Sequence, residues 1–274
     1  MTEQLKDLKK LCVHTFTTKP WTLQEACAGY AKAGVPAISV WREHVAPVGA
    51  EEAGKILKGS GLDVVSLVRG GFFPATSGAD REEARNENRR AIDEAAAIGA
   101  PLLVLVCGAV KGMPLPVARQ QILDGINAVL PHAEQAGVKL AIEPLHPMYA
   151  DTRSAVNTME QAINMVTVLD NPFLGIAVDV YHVWWDPYLK AEIKRAGKSI
   201  FAFHVCDWRV PTNDLLLDRG LMGEGCIDIR EIRGWVEEAG FNGYNEVEIF
   251  SETYWAQDQA NFVERIKDAY LRHV

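Results

Sequence analysis

The segment GIAVDVYHVWWD, Gly175 to Asp186, begins as an apolar run and then presents an aspartate, a histidine three residues on and two tryptophans, with no turn residue between. A strand with one face in water alternates apolar and polar side chains. A run that stays apolar on successive positions is covered on both faces, as in a parallel sheet flanked by helices. The polar residue then falls at the C-terminal end of the strand, the end where α/β barrels gather their reactive groups.

The pattern recurs along the whole chain. Eight short runs rich in Val, Ile and Leu are candidate strands, at 11–16, 37–41, 63–68, 102–107, 139–144, 174–179, 200–205 and 245–250. Each precedes a helix-like stretch, such as REEARNENRRAIDEAAAIG, VARQQILDGINAVLPHAEQAG or IREIRGWVEEAG, the last two running to a glycine suited to a C-cap. Eight strand-helix repeats predict a parallel (β/α)8 barrel occupying 1–274 as one domain. A doubly wound open sheet would bring a Gly-rich phosphate loop, and none is present.

Composition narrows the function. With 28 Lys+Arg against 36 Asp+Glu, the net charge of −8 repels nucleic acid. The polar opening MTEQLKDLKK and the lack of any apolar run near the roughly 18 residues of a membrane span predict a cytoplasmic protein with no membrane association. Five scattered cysteines without zinc-site spacing read as small buried thiols in a reducing compartment.

The last four strand candidates each carry one metal-capable side chain near the C-terminal end: Glu143, Asp179, His204 and Glu248. Strand alternation puts Glu143 with Ala141, Asp179 with Ala177 and His204 with Ala202 on one side, and Ile142, Val178 and Phe203 on the other. The polar set therefore faces the barrel axis, with an alanine below three of the four. Three carboxylates and an imidazole suit Mn²⁺, Mg²⁺ or Co²⁺ better than a thiolate-bound structural zinc. A six-coordinate ion would leave two positions for adjacent oxygens of a hydroxy-ketone, acidifying the proton between them. For each residue singly the plain alternative is a structural one: a strand-end acid capping the next helix, or His182, Trp184 and Trp185 packing over the barrel top. Four such residues at equivalent places in four successive repeats weigh against it.

The motifs LAIEPLHP, VNTMEQA, AVDVYH, FHVCDW, GEGCIDIREIRGWVEEAGFNGYNEVEIF and ETYW resemble the sugar isomerase and epimerase group of xylose isomerase-like TIM barrels, which includes inosose isomerase and the ketose 3-epimerases. The resemblance implies one divalent metal, commonly Mn²⁺ with Mg²⁺, Co²⁺ and Zn²⁺ as alternatives, on Glu143, Asp179, His204 and Glu248. It also implies a substrate contact at His182. The epimerase arginine lies six residues after the metal histidine, whereas Arg209 lies five after His204, so Arg209 matches only approximately. Inosose isomerases carry a small residue where this chain has Glu246, which leaves two readings: Glu246 pairs with a cation lower in the barrel, or the ligand register shifts by two.

The expected chemistry is enediolate formation from a keto-sugar or inosose, with Glu143 and Glu248 as catalytic acid and base and His182, Arg209, His146 and Trp185 as substrate contacts. The same first step serves a lyase that cleaves 3-keto-glycosides or inositol derivatives by β-elimination, and a non-catalytic sugar-binding barrel is the alternative outside enzymes. Endonuclease IV shares the fold but needs three zinc ions and more histidines than His14, His44 and His146 offer. No phosphate-binding loop is visible, so an unphosphorylated polyol is expected as the partner molecule. A homo-oligomer is compatible with the chain, with Trp235 and Trp255 as candidate contacts.

Overall fold

The computed structural model describes residues 2–274. Eight parallel strands close into a barrel in the order β1-β10-β7-β6-β5-β4-β3-β2. They are β1 (Leu11–His14), β2 (Ala37–Trp41), β3 (Asp63–Gly71), β4 (Leu102–Val106), β5 (Lys139–Glu143), β6 (Leu174–Asp179), β7 (Ile200–Val205) and β10 (Asn245–Val247), with β8 (Asp207–Trp208) and β9 (Arg219–Gly220) forming a separate antiparallel ribbon. All eight expected strands are present and the barrel is confirmed. The ribbon was not expected.

The predicted division of faces holds. Ile142, Val178 and Phe203 belong to the large core between strands and helices, whereas Ala141, Ala177 and Ala202 pack inside the barrel with Leu102, Val104, Val68 and Trp41. Between β6 and β7 the register shifts by one residue after Ile176, which puts Ala177 level with Ala202 and Asp179 level with His204. One irregularity thus aligns two site residues on neighbouring strands.

Helix ends follow their capping residues. The helix Leu115–Ala136 stops at Gly137, whose φ of 71° frees it for the left-handed cap, while Ile229–Glu238 ends on Ala239 and Gly240 follows one place later. At the mouth, Gly71 has a φ of 108° and lies so close to the Val106 carbonyl that a Cβ would collide with it. Glycine is what lets β3 turn against β4 there. No helix among the described residues is long and apolar enough to cross a membrane.

Candidate functional site

Glu143, Asp179, His204 and Glu248 converge at the C-terminal mouth, with one ligand atom from each within 4.8 Å of the others. Glu143, Asp179 and His204 end or nearly end β5, β6 and β7, and Glu248 follows β10 by one residue. All four are buried, at 0–4% exposure. The geometry therefore groups Glu248 with the other three and leaves Glu246 below them.

Asp179 satisfies both of its sequence readings at once. Its Oδ1 accepts the Tyr181 N–H at 2.8 Å and caps the short helix Val180–Val183, while Oδ2 faces the barrel centre. The cap fixes the carboxylate's orientation. The helix then carries His182 over the site, with Nε2 3.6 Å from Asp179 Oδ2. Burial first, and then the neighbouring Arg219 guanidinium, hold His182 well below the usual histidine range, so its ring is neutral.

Arg219, which the sequence reading missed, is the guanidinium that pairs with the mouth carboxylates. Its Nη1 lies 3.1 Å from Asp179 Oδ2 and 2.9 Å from Glu248 Oε2, and Nη2 lies 3.3 Å from His182 Nε2. The guanidinium is sandwiched between the Tyr181 and Phe250 rings, 4.4 Å from each centroid. Arg209 instead donates to Asp218 at 2.8 Å, Glu224 at 3.0 Å and the Tyr254 hydroxyl at 2.7 Å. It braces the loop rather than the mouth. The ribbon explains the exchange: β8 and β9 pair Trp208 with Arg219, so the excursion between them folds out as a hairpin and returns Arg219 beside the end of β7.

His146 and Trp185 come together on one rim. The His146 ring lies 5.7 Å from Trp185 and 5.2 Å from Trp208, and Trp185 Nε1 donates to the His182 carbonyl at 2.8 Å. Both rings are half-buried.

Beneath the mouth lies a second polar layer that sequence spacing did not reveal. Glu246 Oε2 accepts from Ser39 Oγ at 2.5 Å and Ser66 Oγ at 3.2 Å and pairs with His14 Nε2 at 3.2 Å. His14 Nδ1 reaches up to Glu248 Oε1 at 3.1 Å, and His204 Nε2 lies 3.8 Å from Glu246. Of the two readings of Glu246, the contacts fit the first, with the His14 imidazole as its partner. Burial opposes charge on His14, but the Glu248 and Glu246 carboxylates outweigh it and raise its pKa. Glu246→Ala is expected to destabilise the fold by about 3–5 kcal/mol, because it leaves two serines and His14 buried without their acceptor. Urea unfolding checks this, and an unchanged midpoint would sink it.

The donor set fits a divalent ion. Glu143 Oε1 and His204 Nδ1 are buried without hydrogen-bond partners although only 3.2 Å apart. Burial alone would keep His204 uncharged, yet the surrounding Glu143, Glu246 and Glu248 carboxylates push it up to about 10. Burial also raises Asp179, with the Arg219 guanidinium opposing. Both shifts run toward neutralising an anionic cluster, the role a divalent cation takes over.

The loop between β8 and β9 covers the mouth. The Leu215 carbonyl accepts from the Tyr149 hydroxyl at 2.8 Å and the Tyr181 hydroxyl at 2.9 Å, and Leu216 packs on Val106, Leu145 and Tyr149. Because the carboxylates below are nearly inaccessible, a sugar-sized ligand requires this loop to lift. Combining Tyr149→Phe with Tyr181→Phe removes two hydrogen bonds worth about 2 kcal/mol together, so the loop should open roughly 30-fold more often. Faster amide deuteration confined to 209–217 would show it; unchanged protection would refute the tether.

Residues 27–267 match the family described as xylose isomerase-like TIM barrel. The chain belongs to that family. A solved structure of protein SMc04130 from Sinorhizobium meliloti 1021 is 47% identical, with a TM-score of 0.94 over 97% of this chain and 99% of that one. Inosose isomerase from Bacillus subtilis (strain 168) is 30% identical over 145 residues, 50% of this chain and 49% of its own length. The chain thus spans about half the length of that curated relative. The IOLI protein, solved with a binding zinc atom, shares the fold at a TM-score of 0.83 and 22% identity, over 97% of this chain and 99% of that one.

Proposed function

We propose that this chain is a divalent-metal-dependent isomerase or epimerase of keto-sugars or keto-cyclitols that works through an enediolate. The observation that carries this reading is the convergence of Glu143, Asp179, His204 and Glu248 within 4.8 Å at the barrel mouth. Similarity to an inosose isomerase and to a zinc-binding barrel supports it.

A divalent ion held by these four residues, with Mn²⁺ favoured, would polarise a substrate carbonyl and its neighbouring hydroxyl. The remaining work falls to the protein. β5 and β10 are separated in the barrel wall by β6 and β7, so Glu143 and Glu248 approach the centre from different sides. One carboxylate removes the carbon-bound proton and the other returns one, which inverts a carbon; delivery to the adjacent carbon moves the carbonyl. His182 and Arg219, in mutual contact, hold the oxygen that gains charge. The His146 and Trp185 rim packs against the sugar's C–H face. The loop carrying Leu215 and Leu216 excludes water once closed.

The test is deuterium incorporation. The protein is incubated with Mn²⁺ in D2O and a panel of ketohexoses, inososes and 3-keto-glycosides, and the metal is removed before NMR. Metal-dependent deuterium at one carbon is expected. The product distinguishes epimer, shifted carbonyl and eliminated fragment. Binding without exchange of any panel member would favour a sugar-binding barrel instead.

A further inference from the structure

Arg219 has company at the mouth. It already pairs with Asp179 and Glu248. Two other guanidiniums flank the same opening. Arg153, in the loop after β5, lies over the Tyr149 ring at 5.5 Å, and that ring meets His182 edge-on at 5.9 Å. Arg153 forms no ion pair among the described residues and is half-buried. Arg69, at the end of β3, lies over the Phe72 ring at 4.9 Å and the Trp41 ring at 5.9 Å. Its nearest carboxylate is Glu43 at 3.6 Å, a half-exposed side chain, and its Nε is buried without a hydrogen-bond partner.

Arg69, at the end of β3, and Arg153, in the loop after β5, are linked through Gly108. Gly108 packs against the Phe72 backbone, and its N–H donates to the Arg153 carbonyl at 3.0 Å. Burial and then the neighbouring Arg69 charge lower the Arg153 pKa, as expected of like charges facing one space. Arg153, over an aromatic ring and without a carboxylate partner, keeps its N–H edges for a planar or tetrahedral oxyanion, and Arg69 has only the half-exposed Glu43 to exchange for one.

We propose that Arg69 and Arg153 form a subsite for an anionic group, a carboxylate or a phosphate, on the part of the substrate remote from Glu143, Asp179 and Glu248. The subsite rests on reading the mouth as the substrate site, and it replaces the neutral polyol expected from sequence. That expectation looked for basic residues crowded in one loop. Here the end of β3 and the loop after β5 each supply one.

Matched 2-ketoses test it: D-fructose, D-fructose 6-phosphate and D-fructuronate, compared for metal-dependent exchange. The wild-type chain should favour one or both charged members by about 10- to 100-fold in kcat/KM, and Arg153→Gln or Arg69→Gln should cut that ratio by a similar factor. Which charged member gains identifies phosphate or carboxylate. Equal rates for all three, or a preference untouched by both variants, overturn the subsite. Calorimetric titration of metal-free protein with inorganic phosphate and with acetate separates the two proposals. Saturable binding lost in Arg153→Gln supports the subsite even if no sugar exchanges, a failure that would count against the isomerase reading alone. No binding tighter than about 10 mM, together with no charge preference, overturns the subsite.

Discussion

Glu143→Gln is expected to slow exchange of the substrate's carbon-bound proton by about 10²–10⁴-fold at saturating Mn²⁺, the loss typical of a missing general base. The two mouth glutamates are not equivalent. Glu248 is clamped, with Oε1 3.1 Å from His14 Nδ1 and Oε2 2.9 Å from Arg219 Nη1. Burial opposes ionisation of Glu248, but the His14 and Arg219 charges prevail and hold it well below the usual carboxylate range. Glu143 has no such clamp, and its Oε1 is buried without a hydrogen-bond partner. Glu143 is therefore assigned the proton abstraction; Glu248 serves the opposite face and returns a proton there only after taking one up from water. Glu248→Gln should then retain exchange at the face served by Glu143 while losing inversion of the carbon. Deuterium position and product configuration, read in the same NMR sample, separate the two effects. Wild-type rates in both variants at saturating metal would show that neither carboxylate moves the proton.

The parts of this site that sequence made legible are those set by strand periodicity. Ala141, Ala177 and Ala202 below Glu143, Asp179 and His204 follow from alternation on single strands, and each strand needs only its own residues to be read. What escaped depends on contacts between distant segments. His14 and Glu246 meet because β1 and β10 close the barrel, and nothing near either residue announces the other. Arg219 escaped because counting forward from His204 assumes a short loop, whereas the β8–β9 hairpin folds the intervening residues out of the path. Arg69 and Arg153 belong to the same class: isolated in sequence, adjacent through Phe72 and Gly108.

Arg219→Met is expected to destabilise the fold by an amount that depends on metal. Arg219 is only 2% exposed and is the guanidinium in contact with both Asp179 and Glu248. Without it, Asp179 loses its guanidinium partner and the three carboxylates keep only the His14 and His204 imidazoles beside them, which should cost about 3–5 kcal/mol in EDTA. A divalent ion supplies the missing charge and binds only the folded chain, so it stabilises by mass action, roughly 4 kcal/mol at a thousandfold excess over Kd. Arg219 also repels that ion. Its removal should therefore tighten Mn²⁺ binding and make the metal-dependent rise in the urea midpoint larger in the variant than in the wild type. The four states, each chain with and without metal, form a thermodynamic cycle whose coupling term measures how far Arg219 and the ion serve the same carboxylates. Equal metal-dependent gains in both chains would give no coupling, and the ion would then have to lie away from Asp179 and Glu248. Arg219→Met should nonetheless be catalytically poor even when metal-loaded, because the ion restores the charge balance but not the N–H groups beside His182 to which the proposed mechanism gives the substrate oxygen.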